Sequence, residues 1–401
     1  MNFFIKRSLS ILIAIGACLV AQFLVTGHLS AYEERLITLA GLYVTLATSL
    51  NLINGITGQF SIGHAAFYLI GAYITGFITI QFFNIQPFHD LVWALLMVIL
   101  SALSAAGAGF LVSLPSLRLQ GDYLAIVTLG FGEIIRIFVQ NIQGLGGAYG
   151  LNVYSAAPLS LPFIAVIWLI AVLCIAISRN LLKTSHGLSF LAIRDDELAS
   201  RSIGINVTKV KVMAFTIGAA FAGAAGAMLA LYEGFITPGT FTVDTSVIIL
   251  TMVILGGSGS ITGTVFAALA LFYIPEWLRD QPNISSASFI AACITYLVTM
   301  ILTLKIIKNP YPNAKSKIFL YIGVIFLAVG LQIGVAQALT LIPTLGQTFF
   351  EGNKLRMVIF AATMITVMLL RPQGMFDHHE FSWKWLFHCL RIKKKEEVQL
   401  S

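Results

Sequence analysis

The chain has 401 residues, of which 58% are hydrophobic and only 10% are charged, and its mean hydropathy is +0.90. Soluble domains carry about 25% charged residues, so this composition excludes both a soluble globular protein and a disordered one. The net charge of +7 is explained by basic loops on the cytoplasmic side of a membrane, without a nucleic-acid partner. The composition therefore predicts an all-α, polytopic membrane protein that contacts lipid.

Apolar runs recur along the chain, and an α-helix needs about 20 apolar residues to cross a bilayer. The runs are 8–26, 36–53, 60–80, 91–112, 122–141, 160–178, 212–232, 287–304, 318–340 and 355–370. A further pair, 245–255 and 261–274, is split by glycines and forms either two short spans or a re-entrant hairpin. These lengths predict a transmembrane helix bundle of about 10–12 membrane segments.

The distribution of basic residues predicts the orientation of the bundle. If the sides alternate from Lys6 and Arg7 on the inside, 19 of the 24 Lys and Arg residues fall in inner segments. An even number of crossings then leaves both termini in the cytoplasm. We expect a multi-pass membrane domain over 1–376, with a cytoplasmic loop at 179–211 and a basic cytoplasmic tail at 377–401.

Two groups of polar residues lie inside apolar runs and are candidates for a substrate path. Gln59, Ser61 and His64 favour a broken helix that lines a cavity, because their polar groups are costly in lipid. Close helix packing explains the neighbouring glycines but not these three side chains. No second ligand lies near His64, so we expect no metal site.

Glu133 and Arg136 form the second group and lie eleven and fourteen residues after Asp122, near the middle of the bilayer. At a spacing of i,i+3 their side chains can pair on one helix face. Two interpretations stay open: a structural ion pair buried between helices, or a polar element of the substrate path.

The inner loop at 192–206 predicts a short exposed helix. Asp195 can act as its N-cap or as a first-turn acid, Glu197 and Arg201 can pair at i,i+4, and Gly204 can end it in the left-handed conformation. Both a solvated connector against the membrane and a docking helix for a cytoplasmic partner fit this pattern.

Several motifs occur in an order that resembles one family of membrane proteins. They are Gly55–Phe67, Gly71–Tyr73, Arg118–Arg136, Ala192–Asn206, Gly256–Gly263 and Arg371–Gly374. Over 36–280 and 355–376 the chain resembles the branched-chain amino acid permease family, the LivM-type subunit of an ABC importer.

The resemblance implies a permease subunit, not an enzyme, that translocates leucine, isoleucine, valine or similar apolar amino acids across the bacterial inner membrane. It implies a second permease subunit, two cytoplasmic ATPase subunits and an extracytoplasmic substrate-binding protein as partners, and no cofactor. It further implies that the inner loop couples to an ATPase. The coupling residues would be Ala192, Arg194, Asp195, Glu197 and Gly204.

The chain departs from the family pattern at 283–350, where about seventy residues containing two apolar runs are inserted before the last span. Two added spans preserve the sidedness of the rest of the chain. Their role is not indicated by the sequence.

Three alternatives compete with this interpretation. A urea or short-amide ABC permease belongs to the same family, and an ion-coupled secondary transporter has a similar composition. An intramembrane hydrolase that uses Ser258 and His64 rests on one unproven pair of residues. The glycines at 256–259 lack the Gly-Lys-Ser/Thr of a phosphate-binding loop, so any ATP must be bound by another polypeptide.

Overall fold

The computed structural model describes residues 29–82, 90–116, 121–153 and 162–279, together with 284–285, 349–350 and scattered positions between 16 and 26. The helices are α1 Ala31–Asn51, α2 His64–Phe82, α3 Asp90–Ser116, α4 Asp122–Asn141, α5 Phe163–Leu182, α6 Ser185–Asp195, α7 Glu197–Ser202, α8 Val207–Glu233, α9 Val243–Gly256 and α10 Ile261–Arg279. Short strands form two antiparallel pairs, β1 Leu151–Asn152 with β2 Phe235–Ile236 and β3 Ile284–Ser285 with β4 Phe349–Phe350.

The chain divides into two compact units, one of residues 1–273 and 373–379 and the other of residues 274–372 and 380–401. In the second unit, the pairing of β3 with β4 joins the two ends of the segment 283–350.

Seven described helical segments are long and apolar enough to cross a membrane, which confirms the all-α, multi-pass bundle. They are Ala31–Ile56, His64–Phe82, Asp90–Leu114, Tyr123–Asn141, Phe163–Leu182, Val207–Glu233 and Pro238–Gly256, followed by the shorter apolar helix Ile261–Tyr273. The predicted runs 287–304, 318–340 and 355–370, and most of 8–26, lie outside the described residues. The helix predicted from residue 60 begins instead at His64, because the preceding residues form an irregular connection.

Helix α8 lies at the centre of the unit, and glycines allow its neighbours to approach closely. A Cβ atom on Gly226 would overlap the carbonyl oxygen of Tyr68 in α2, and one on Gly223 would crowd the carbonyl oxygen of Ser101 in α3. Small residues permit this backbone-to-backbone packing, on which helix association in lipid depends.

The helix ends gather into two groups that agree with the predicted alternation of sides. At one end, Arg35 pairs with Glu233 at 3.0 Å between Nη2 and Oε1, and β1 pairs with β2. At the other end, α6 packs against the last turns of α1 and the first turns of α8. The helix ends that were predicted to share a side therefore lie together. The cytoplasmic location of both termini stays a prediction.

The α1 helix ends in a π-helical turn, Leu52–Ile56, and is fastened there to the turn between α9 and α10. The buried Asn51 side chain donates to the Ser260 carbonyl oxygen at 3.2 Å and accepts from the Gly259 N–H at 2.9 Å. Gly257 and Gly259 have φ values of +109° and +97°, which glycine adopts most readily. The glycines therefore form a tight turn between the two halves of the glycine-split pair.

We expect Asn51→Ala to destabilise the protein by about 1–3 kcal/mol, because the partly buried Gly259 N–H loses its acceptor. Thermal unfolding of the detergent-solubilised protein measures the effect. Asn141→Ala is the matched control, since Asn141 donates to the Ile137 carbonyl oxygen at an exposed helix end. Equal melting temperatures for the two variants would contradict the prediction.

Candidate functional site

The irregular segment 57–63 joins α1 to α2 and contains two of the predicted path residues, with His64 directly after it. Gln59 is 4% exposed, and Ser61 and His64 are fully buried. Gln59 Nε2 donates to Thr57 Oγ1 at 3.0 Å, and Ser61 N donates to Asn54 Oδ1 at 3.3 Å. The structure brings the predicted residues together at the break, but it encloses them within the subunit.

His64 lies 2.8 Å from Ser49 Oγ through its Nε2 atom, and both residues are buried. Ser49 was not indicated by the sequence, because it lies fifteen residues away on another helix. A nucleophile needs access to its substrate as well as a base. The histidine on which the hydrolase alternative depends is thus engaged with an enclosed hydroxyl.

A small, partly open cleft lies beside the break, among α2, α4 and the start of α9. Its lining includes Ile62, Gly63, Ala65, Ala66, Leu129, Gly132, Glu133, Phe241, Thr242, Val243 and Ser246. Eight of these eleven residues are apolar or glycine, and the other three supply one carboxylate and two hydroxyl groups. Of the predicted path residues, only Glu133 lines this cleft.

The predicted i,i+3 pair forms: Arg136 Nη2 lies 2.7 Å from Glu133 Oε2, and Arg136 Nε lies 3.0 Å from the same oxygen. The pair is not buried between helices, since the two side chains are 23% and 28% exposed. The reason is the peripheral position of α4, whose span Tyr123–Asn141 is only 22% buried. An ion pair at this depth is costly in lipid, so its exposed side requires protein or water beside it.

The inner loop contains two helices rather than one. Asp195 ends α6, and Asp196 caps α7 instead, accepting from the N–H groups of Leu198 and Ala199 at 2.8 and 3.0 Å. The predicted cap at Asp195 was wrong by one residue, because α6 extends the preceding helical turn up to it. Gly204 has φ +85° just after α7, as predicted.

Glu197 holds the α7 helix against α8. Its Oε1 lies 2.6 Å from Arg201 Nη2, which confirms the predicted i,i+4 pair, and its Oε2 lies 2.7 Å from Lys211 Nζ. Lys211 is only 7% exposed. Burial raises the pKa of the Glu197 carboxyl, but the charges and hydrogen bonds of Lys211 and Arg201 outweigh this and lower the pKa.

Helix α6 is seated on the end of α1. Phe190 and Ile193 are buried in an apolar cluster with Leu52 and Ile56. The Arg194 side chain lies over Gly58, where a Cβ atom would come within 3.0 Å of Arg194 Cγ. The loop is therefore packed directly against the residues that lead into the cleft.

Other residues of the inner loop, outside this contact between α6 and α1, are more exposed to solvent. Asp195 is exposed and lies 3.4 Å from Arg194 Nε, and Ala192 is half-buried. Leu188, Leu198 and Ile203 are 67%, 71% and 75% exposed, although all three are apolar. Such a patch beside charged residues is typical of a contact surface.

Comparison with known proteins supports a transport role. Residues 33–282 match the family described as "Branched-chain amino acid transport system / permease component". The match ends where the predicted insertion begins. No solved structure matches the chain.

Three relatives illustrate the likeness. The chain is 36% identical over 275 residues to the high-affinity branched-chain amino acid transport system permease protein LivM of Escherichia coli K12, covering 61% of this chain and 63% of that protein. LivM of Salmonella typhimurium gives the same figures. A probable LivM of Methanocaldococcus jannaschii is 27% identical over 277 residues, covering 60% of this chain and 79% of its own. The chain thus spans less than two thirds of the length of the two bacterial LivM proteins. All three relatives are permeases rather than enzymes.

We expect Glu197→Gln to lower the melting temperature at pH 7, because the buried Lys211 ammonium loses its carboxylate partner. Since the Glu197 pKa is depressed in the folded protein, its stabilising effect is present above the unfolded-state pKa of about 4.3. It is lost as the pH falls through the lower folded-state pKa. The variant and the wild type should therefore converge in acid.

Melting temperatures of both proteins at pH 7 and in acid test this expectation. Asp195→Asn provides the control, because its contact with Arg194 is largely exposed and should contribute little. A difference between Glu197→Gln and wild type that is independent of pH would disprove the proposed ionic origin.

Proposed function

This chain belongs to the family of permease components of branched-chain amino acid transport systems, and we propose that it forms half of the pore of an ABC importer for leucine, isoleucine, valine or similar apolar amino acids. The observation that carries the proposal is the 36% identity to LivM over 275 residues. We further propose a bacterial inner-membrane location, with both termini in the cytoplasm and a basic tail at 377–401.

The proposed partners are a second permease subunit, two cytoplasmic ATPase subunits and an extracytoplasmic binding protein. A second permease subunit would give the exposed side of Glu133 and Arg136 a protein or aqueous environment instead of lipid. In this proposal the pair belongs to the substrate path. Gln59, Ser61 and His64 do not face that path but stabilise the segment that forms part of its wall.

The exposed patch of Leu188, Leu198 and Ile203 is the proposed ATPase contact, with Ala192, Arg194, Asp195, Glu197 and Gly204 as the coupling residues. The Glu197–Lys211 contact at 2.7 Å would transmit a displacement of α7 to α8. The rigid packing of α6 on α1 supports such a role, because packed elements move as units.

A second route from the loop leads to the cleft. Arg194 lies over Gly58, and four residues further along the chain Ile62 and Gly63 line the cleft. A shift of α6 on nucleotide binding by the ATPases would therefore pull on the segment 57–63 and change the width of the cleft. In this proposal, movement of the inner loop and a change in the width of the cleft are coupled.

The segment 283–350 is proposed to be an inserted pair of spans outside the shared family bundle. Two observations support this proposal: the family match ends at residue 282, and β3 pairs with β4 at the two ends of the segment.

Uptake of radiolabelled leucine tests the proposed function. The chain is co-expressed with its proposed ATPase, second-permease and binding-protein partners, in cells that lack their own branched-chain amino acid uptake. We expect uptake that needs ATP, persists when ion gradients are dissipated, and is inhibited by isoleucine and valine but not by urea. Uptake that follows the ion gradient, or inhibition by urea alone, would contradict the proposal.

We expect Leu198→Arg to abolish co-purification of the ATPase and substrate-stimulated ATP hydrolysis, because it places a charge in an apolar contact. The variant should fold, since Leu198 is 71% exposed. Thr208→Arg is the matched control, as Thr208 is an exposed polar residue at the start of α8.

Gly204 offers an independent test of coupling. Gly204→Val should impair ATP turnover because a β-branched residue resists φ +85°, whereas Gly204→Asn should retain it because asparagine tolerates the left-handed conformation. No atom lies within 4 Å of the added Cβ, so the two variants differ in backbone preference and not in steric overlap. Normal ATP turnover in both Leu198→Arg and Gly204→Val would refute the coupling role.

A further inference from the structure

We infer that the exposed face of α4 is the surface on which the second permease subunit packs, with Gly130 at the point of closest approach between the two subunits. The inference rests on the proposed function, which supplies that subunit. It adds the residues that form the contact and the kind of group that the partner presents to them.

One face of α4 is exposed along the whole span. Side chains three or four residues apart share a face of an α-helix, and exposed apolar residues recur at this spacing on both sides of Gly130. They are Tyr123, Ile126, Ile134 and Ile137, which are 71%, 65%, 67% and 48% exposed. These four residues and Gly130 are called the outer face of α4 below.

Packing within the subunit does not explain Gly130. A Cβ atom built there meets no atom within 4 Å. Gly63 differs, because its Cβ would overlap the Thr128 carbonyl oxygen where α2 approaches α4. Glycine is unfavourable in a helix interior, whereas small residues let the backbones of two membrane helices approach closely. Gly130 therefore suits a helix contact that this subunit does not make by itself.

The ion pair beside the outer face argues against lipid as its only neighbour. Glu133 follows Gly130 by one helical turn, and it lies with Arg136 near the middle of the span Tyr123–Asn141. Arg136 Nε and Nη2 bond the carboxylate, but Nη1 donates to no described residue. Because the Arg136 side chain is 23% exposed, hydrocarbon around it would leave a charged donor without an acceptor.

The exposed face of α3 is a useful comparison, because it contains no ionisable group. Leu103 is 66% exposed there, and a Cβ atom on Gly107 meets no atom within 4 Å. The span Asp90–Leu114 has a mean hydropathy of 2.3, against 1.5 for Tyr123–Asn141. Lipid can therefore cover α3, and an unused glycine alone does not indicate a protein contact.

The occupant of the outer face must cross the membrane and present a hydrogen-bond acceptor at the depth of Arg136. Among the proposed partners, only the second permease subunit spans the membrane. A second copy of this chain, related by a two-fold axis along the membrane normal, would bring the same residues to the same depth. It would add another unmet Arg136 donor and a Glu133 carboxylate that is already engaged. A different subunit with its own acceptor fits better.

Site-specific photocross-linking in the complete transporter tests the surface. The variant Ile134→p-benzoylphenylalanine places the cross-linker on the outer face of α4, and Leu103→p-benzoylphenylalanine places it on α3. The two sites are matched, since Ile134 is 67% exposed and Leu103 is 66% exposed. We expect irradiation to join position 134 to the second permease subunit, as identified by mass spectrometry, and to join position 103 to no subunit.

A matched pair of glycine variants tests the close approach. Gly130→Ile should lose the second permease subunit on purification, because a branched side chain holds the two backbones apart. Gly107→Ile should retain it. Both variants should reach the wild-type level in the membrane, because the added side chain meets open space in each. Retention of the second permease subunit by Gly130→Ile would overturn the inference.

The outcomes separate the inference from the proposed function. If the wild type takes up leucine while position 134 joins only to lipid, to a second copy or to another segment of this chain, the inference is wrong and the proposed function stands. If the wild type takes up no branched-chain amino acid, the proposed function fails and the inference fails with it. If Gly130→Ile does not fold, cross-linking from position 134 decides.

Discussion

Backbone hydrogen bonding in the absence of water is the constraint on which this structure depends. In lipid, irregular backbone is stable only where protein or an aqueous cavity supplies its partners. Asn54 donates to the Ser61 carbonyl oxygen and accepts from its N–H, and Thr128 accepts from the Ile62 N–H. The Asn51 side chain likewise donates to one backbone carbonyl and accepts from one backbone N–H in the turn between α9 and α10. These side chains allow the chain to leave regular helix at the level where the cleft forms.

The cleft follows from that arrangement. Because the segment 57–63 is held by α1 and α4, α2 begins inside the protein, at His64, and leaves a gap beside α4. Gly58 in the same segment contacts Arg194, so only a few residues of irregular chain separate α6 from the cleft. In an ABC importer, this short connection would convert motion at the cytoplasmic face into opening or closing of the path.

The two least buried of the seven described spans have different compositions, which indicates different surroundings. Asp90–Leu114 has a mean hydropathy of 2.3 and suits contact with lipid, whereas Tyr123–Asn141 has 1.5 and contains the partly exposed pair Glu133 and Arg136. Since ionisable groups avoid lipid, we expect the exposed side of α4 to face protein or water. This agrees with a permease that works as one of several subunits.

The sequence by itself determined the features that depend on neighbours along the chain: the apolar runs that became helices, the i,i+4 pair of Glu197 with Arg201, and the left-handed Gly204. Only the tertiary structure decided that Lys211 completes the Glu197 contact, that Gln59 is enclosed, and which helix faces line the cleft. The reason is that helical periodicity specifies which side chains share a face, whereas their partners come from helices that are distant in sequence. Polar residues near one another in an apolar run therefore indicated a special segment, but not whether their side chains face a cavity or one another.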